Sequence, residues 1–224
     1  MGTFLPRIAL GAALLAAPAA VHATVIDFDN LDASSLQPVP LTTFTEDGYT
    51  FGLTFTTTGG ARGPAIFDTT CAGAACNGDT DLIPGAQGEN GIEKNVLILQ
   101  EELPSNTPDD DGQSGTITFE LLSGTAFRWE GASAIDDATF DFSTGTDGLL
   151  GSIAMGADNQ TGKTTFSSSL IEVGDTFTIA YSGSGAIDSL ILAPVPVPAA
   201  LPLLIGALGG LGVASRRRAR KTAA

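Results

Sequence analysis

The chain is poor in the residues that carry most enzymatic and metal chemistry. Its 224 residues include one histidine, two cysteines, one tryptophan and two tyrosines. The histidine, His22, precedes the expected start of the mature chain. No imidazole then remains for a Ser-His-Asp triad, a Cys-His pair or a histidine metal site. Basic residues are scarce as well. All 25 acidic residues lie between Asp27 and Asp188, opposed there only by Arg62, Lys94, Arg128 and Lys163, so this segment carries a net charge of −21. Such a surface repels a phosphate backbone, which excludes nucleic acid as a partner. It must be solvated or neutralised by bound cations. An apolar stripe at helical spacing is also absent from this segment.

Glycine and proline are plentiful, at 28 and 12 residues, which fits one medium-sized domain with short flanking segments. At the N-terminus, Arg7 precedes the apolar stretch "IALGAALLAAPAAV". Val21-His22-Ala23 then places small side chains at both positions that a signal peptidase inspects, so residues 1–23 read as a signal peptide helix with cleavage before Thr24. The other end carries a second apolar run. Ala199 to Ser215 is an uncharged stretch of 17 residues, bounded by Arg216, Arg217, Arg218, Arg220 and Lys221. With Val195 and Val197 at its edge it is just long enough for a transmembrane helix through a thin bilayer, its basic end in the cytoplasm.

The order Val195-Pro196-Val197-Pro198-Ala199, then a Leu/Gly-rich apolar run, then Arg216-Arg217-Arg218, resembles the PEP-CTERM class of sorting signals in its VPLPA variant, with Val197 where the variant has leucine. The resemblance implies a Gram-negative surface protein. In that family the tail holds the exported chain in the inner membrane until an exosortase recognises the proline motif and processes it. Signal peptidase and an exosortase-type enzyme are thus the implied partners. A permanent C-terminal anchor is the alternative reading of the same spacing.

The body, residues 24–193, reads as strands. "YTFGLTFTT" sets Tyr49, Phe51, Leu53 and Phe55 on one face, with Thr50, Thr54 and Thr56 on the other. "GTITFELL" does the same with Ile117, Phe119 and Leu121 inward. Further strands are expected at "TVIDF", "NVLIL", "AFRWE", "ATFDF", "LLGSIAM", "TTFSSSL", "DTFTIAY" and "AIDSLIL", each bounded by turn residues. Short strands without βαβ alternation predict an all-β antiparallel sandwich, jelly-roll-like. The segments "DTDL", "NVLILQE", "PDDDGQSGTITFEL" and "GSGAIDSLIL" are also similar to ones recurring in β-sandwich ectodomains that carry this type of C-terminal signal. That likeness implies loops near Asp79, Asp81 and Asp109 to Asp111 gathered at one edge.

The stretch from Cys71 to Asp111 is long and poor in strand signal. Cys71 and Cys76 close the short loop "CAGAAC", and in an exported chain such a pair is expected as a disulfide. Two thiols without a nearby histidine supply only half a zinc site. Around them stand Asp79, Asp81, Glu89, Asp109, Asp110 and Asp111. Hard oxygen ligands in glycine-containing loops suit calcium, which takes six to eight oxygens with little geometric strictness. The same acids would otherwise be a solvated loop.

Three functions follow in order. The first is a non-enzymatic structural or adhesive protein of the surface or the exopolysaccharide matrix. The second is a calcium-dependent carbohydrate-binding module, which exposed aromatics near the acidic loops would favour. The third is a glycoside hydrolase, favoured only by a cleft in which one desolvated carboxylate faces another.

Overall fold

Along β3 (Tyr49–Thr57) Tyr49, Phe51 and Leu53 are buried, while Thr54 and Thr56 are exposed. Along β6 (Gly115–Ser123) Ile117, Phe119 and Leu121 are buried in the same alternation. This period-two burial builds a computed structural model that describes residues 22–33, 40–59, 63–71, 82–86, 88–100, 110, 112 and 114–195. They belong to a unit running His22–Val195. The described chain is all-β, with a 3-10 turn at Glu89–Gly91. Among the described residues no helix is long and apolar enough to cross a membrane. Residues 1–21 of the expected leader and the apolar run 199–215 lie outside them.

The remaining strands are β1 (Thr24–Ile26), β2 (Thr43–Glu46), β4 (Gly63–Asp68), β5 (Asn95–Gln100), β7 (Phe127–Ile135), β8 (Thr139–Thr144), β9 (Gly148–Ala154), β10 (Thr161–Thr165), β11 (Leu170–Ile171), β12 (Thr176–Ser182) and β13 (Ala186–Pro194). They form two antiparallel sheets. One runs β10-β7-β13-β5-β4, with β1 on β13 and β11 on β7; the other runs β2-β3-β6-β12-β8-β9. Side chains of both sheets share one core cluster. Its middle is aromatic: Trp129 of the first sheet lies 4.6 Å from Phe177 and 5.5 Å from Phe142 of the second, ring centre to ring centre. Such offset and edge-on contacts add about 0.5–1.5 kcal/mol each to the burial itself.

The first sheet is covered on its second face too. Leu82 and Ile92 pack there with Phe67, Val96, Ile98 and Ala186 in a separate cluster. All six residues of β5 are buried, which is why "NVLIL" reads as a continuous apolar run rather than an alternating one.

Differences from the expected strands have local causes. β2 carries a single apolar residue, Phe44, too few to stand out, and β4 contains Pro64, which reads against a strand. Proline is tolerated there because β4 ends its sheet in the strand order. The single strand expected over "TTFSSSL" is two, β10 and β11. Between them Ser168 turns inward: its Oγ accepts from Trp129 N at 2.9 Å while its own N donates to Trp129 O at 3.0 Å.

Candidate functional site

The most unusual chemistry among the described residues lies where the last strand meets the first. Ile187, Leu190 and Leu192 of β13 all face the central core. Ile187 and Leu190 are three residues apart, which a regular strand cannot arrange because successive side chains alternate. An irregular register between Asp188 and Ile191 supplies the extra residue. Ser189 accordingly has φ 48°, a left-handed value that a non-glycine residue seldom adopts. The bulge turns Asp188 away from the core and into the protein beside the loop that leads into β5.

Asp188 is fully buried. Its Oδ2 accepts from Glu93 N at 3.1 Å and its Oδ1 from Ser189 N at 2.5 Å. Burial pushes its pKa up to about 8, and the charges of Asp29 and Asp27 push the same way against those two backbone donors. Ser189 in turn donates through Oγ to Gly91 O at 2.8 Å, and Ser133 donates to Asn90 O at 2.6 Å, which ties the 3-10 turn to the sheet.

Facing Asp188 is the turn that follows β1. Asp27 Oδ1 accepts from Asp29 N at 3.1 Å, and Phe28 takes φ 61°. Asp29 Oδ1 then accepts from Asn95 N at 2.8 Å. Asn95 is fully buried, and its Nδ2 donates to Phe28 O and Leu31 O at 3.2 and 3.0 Å. Its Oδ1 is buried and has no hydrogen-bond partner. Glu46 closes the far side of the turn, accepting from Phe28 N at 3.1 Å and Asn30 Nδ2 at 3.3 Å. Burial, then a hydrogen bond with Asp27 and the charge of Asp27, pushes Glu46 up to about 7. Two carboxyl groups that share a hydrogen bond must share a proton. A cleft of about 310 Å³, lined by Asp27, Glu93 and Lys163 with Val25, Gly91, Ser189 and Ile191, opens above this cluster.

Of the acids singled out from the sequence, two are described. Glu89 is exposed on the 3-10 turn ahead of β5. Asp110 is buried at the other end of β5, bridged to Gln100 and accepting from Ser184 Oγ at 2.6 Å. The strand stands between them, so these two are not brought together. Asp79, Asp81, Asp109 and Asp111 lie outside the described residues, as do Cys76 and the tail from Pro196 through Pro198, Ala199 and Arg216 to Arg220. Cys71 is half-buried beside the second cluster, and no cysteine among the described residues is free. Val195 donates through its N to Ala126 O at 3.0 Å. Among the described residues no group of three or more acidic, histidine or cysteine side chains is gathered for a metal ion.

The sequence reading placed Asp27 and Asp188 in strands and gave neither a role. The available signal was an acid inside the apolar run "AIDSLIL", where a strand buried on both faces has no place for a solvated charge.

No family model and no curated protein matches the sequence. A search of solved structures finds similarity to the crystal structure of the Podospora anserina GH26-CBM35 beta-(1,4)-mannanase, at 15% identity and a TM-score of 0.33, covering 68% of this chain and 29% of that one.

Proposed function

We propose that this protein is a non-enzymatic structural or adhesive component of a bacterial surface or exopolysaccharide matrix. It is exported by a signal peptide, held by a C-terminal transmembrane helix and processed at Val195–Ala199 by an exosortase-type enzyme. The two sheets form a jelly-roll-like sandwich. A Cys71–Cys76 disulfide closes the loop ahead of Asp79 and Asp81, and those acids, with the Asp109 to Asp111 run, offer calcium ligands.

The observation that carries the adhesive reading is the solvent face of the six-stranded sheet. Thr54, Thr118, Thr178 and Ser143 stand side by side across β3, β6, β12 and β8, about 4.8 Å apart by strand spacing. Thr118 and Thr178 bond through their hydroxyls at 3.1 Å, and Thr56 and Thr116 in the next row at 2.6 Å. Outward carboxylates on these central strands are few, Glu120 on β6 and Asp141 on β8, and no lysine or arginine stands on any of the six. In a segment with 25 acids, a broad face of hydroxyls and methyls suits contact with a neutral, hydroxyl-rich polymer.

No aromatic side chain is exposed among the described residues, and Trp129, Tyr49 and Tyr181 are all buried. A sugar-stacking platform, which the carbohydrate-module reading would use, is therefore not offered by them. The hydrolase reading meets a similar obstacle. Glu46 does meet a second carboxyl group, that of Asp27, but the two acids with raised pKa, Glu46 and Asp188, are 3% and 0% exposed, sealed from a substrate that a general acid must touch.

The test is retention of the full-length chain on insoluble neutral polysaccharides and on matrix isolated from the producing cells. Thr118→Lys puts an unpaired charge at the centre of the face without touching the core. It should abolish retention and leave the melting temperature within about 2 °C, as for a surface change. Unchanged retention would remove this face from the adhesive reading.

A further inference from the structure

We infer that the turn from Asp27 to Leu31, together with Asn95 and Asp188, forms a binding site for one divalent cation of the calcium class. The ligands are the Asp29 and Asp188 carboxylates, Asn95 Oδ1 and main-chain oxygens of the turn. This site uses none of Asp79, Asp81 or Asp109 to Asp111, and it does not depend on the adhesive reading.

Carboxylates from distant parts of the chain act on one another here: Asp29 and Asp27, after β1, raise Asp188 in β13, and Asp27 raises Glu46 at the end of β2. The charges that reach Asp188 are those of Asp29 and Asp27, of its own sign. Among the described residues, the hydrogen bonds to Asp188, Asp29 and Glu46 involve backbone N–H groups, the Asn30 amide and, for Glu46, the carboxyl group of Asp27, none lysine or arginine. Lys163 lines the outer cleft. A buried anion is retained when it is paired, hydrogen-bonded or bound to a metal, and among the described residues the donors to Asp188 are two backbone N–H groups.

The amide of Asn95 is the independent observation. Its Nδ2 is committed to the turn through Phe28 O and Leu31 O, and the main-chain N–H of the same residue to Asp29 Oδ1, whereas Oδ1 is buried without a donor. A buried amide oxygen left unpaired costs about 1–3 kcal/mol. It is also the type of neutral oxygen that calcium takes alongside carboxylates and main-chain carbonyls. Two carboxylates, one amide oxygen and carbonyls make a sufficient hard-oxygen set, without the three gathered acids that the described residues lack. Magnesium demands near-octahedral geometry and gives up water reluctantly, so a site built from an irregular turn and a bulge favours the larger ion.

The experiment follows the full-length chain by thermal unfolding, with calcium chloride added at constant ionic strength after chelation. Calcium at about 100 times its dissociation constant should raise the melting temperature by about 5–10 °C, and magnesium by much less. Asp188→Asn and Asp29→Asn should each abolish the calcium-specific rise, while Asp79→Asn combined with Asp81→Asn leaves it intact. Asp188→Asn is nearly isosteric and removes a buried charge, so it is expected to fold; Asp29→Asn, in a half-buried turn, is the second variant should it not. Stoichiometry by calorimetry should fall by one ion in either variant. A rise that survives both substitutions, disappears in the Asp79/Asp81 pair, or is matched by magnesium would overturn the assignment.

Discussion

Gly131 sits in the middle of β7, paired to Thr165 on one side and Ile191 on the other. A Cβ added there would stand 2.6 Å from Thr164 O, a main-chain atom of β10, and 3.3 Å from Ile191 Cδ1. The carbonyl cannot swing aside without breaking the β7–β10 ladder, so Gly131→Ala must push the two strands apart. The carbonyl of Gly131 itself accepts the indole N–H of Trp129 at 2.9 Å, so a displacement of this residue reaches the aromatic core. Overpacking of this kind costs about 1–3 kcal/mol, to which loss of the indole hydrogen bond adds about 1 kcal/mol. For a domain of this size the melting temperature should fall by about 4–15 °C.

Trp129 is the sole tryptophan of the chain and is fully buried, so its fluorescence reports both effects. The folded protein should emit at short wavelength and shift red on unfolding. The variant should unfold earlier and emit from a perturbed native environment. Gly145→Ala and Gly156→Ala, where an added Cβ meets nothing within 4 Å, serve as controls expected to stay within about 0.5 kcal/mol. If Gly131→Ala unfolds with those controls, the close approach of β10 to β7 is wrong.

Three further outcomes follow. In chelator, stability should fall as pH rises from about 4 to about 8: Asp188 beside Asp29 and Asp27 binds its proton more tightly folded than unfolded, so its contribution is complete below the unfolded pKa and lost through about 8. The loss is about 6 kcal/mol at most, Glu46 adding to it up to about 7; Asp188→Asn should flatten the slope in denaturant titrations at each pH, and a slope of the opposite sign would refute the buried placement. On the proposed sorting route, replacing Pro196 and Pro198 by alanine should leave export intact but retain the full-length chain in the membrane, because alanine, unlike proline, would let a membrane helix continue through the motif; immunoblotting of membrane and released fractions decides it, and wild-type release would exclude an exosortase signal. Mass spectrometry should find Cys71 linked to Cys76, and reduction should cost about 2 kcal/mol or less because the loop is short; global unfolding on reduction would contradict that.

Strands with one wet face were legible because alternation writes their orientation into the sequence. "YTFGLTFTT" and "GTITFELL" became β3 and β6, with the expected residues inward. Where burial is two-sided the period disappears, and "NVLIL" shows only that β5 is buried. The side of the sheet taken by Trp129 was ambiguous from "AFRWE". The structure turns it inward because Phe142, Phe166 and Phe177 surround it there. β2 and β4 escaped notice because their places are set by partners, β3 and β5, rather than by their own composition.

The acidic cluster was illegible for a further reason. Its members lie up to 161 positions apart in the numbering, Asp27 against Asp188, and are joined through β1 pairing with β13, Val25 opposite Ile191. No local spacing encodes that. Abundance worked against the reader too, since with 25 acids the eye goes to runs such as Asp109 to Asp111, whose charges are cheapest when solvated. A lone acid between apolar neighbours is the costlier choice. Desolvating one carboxylate outweighs many surface charges, so Asp188 within "AIDSLIL" carries more information than the longer acidic runs. Burial of an acid where leucine would pack without penalty needs a compensating contact. In this fold the donors to Asp188 among the described residues are the backbone N–H groups of Glu93 and Ser189, and a proton or a bound cation would supply the rest of the compensation.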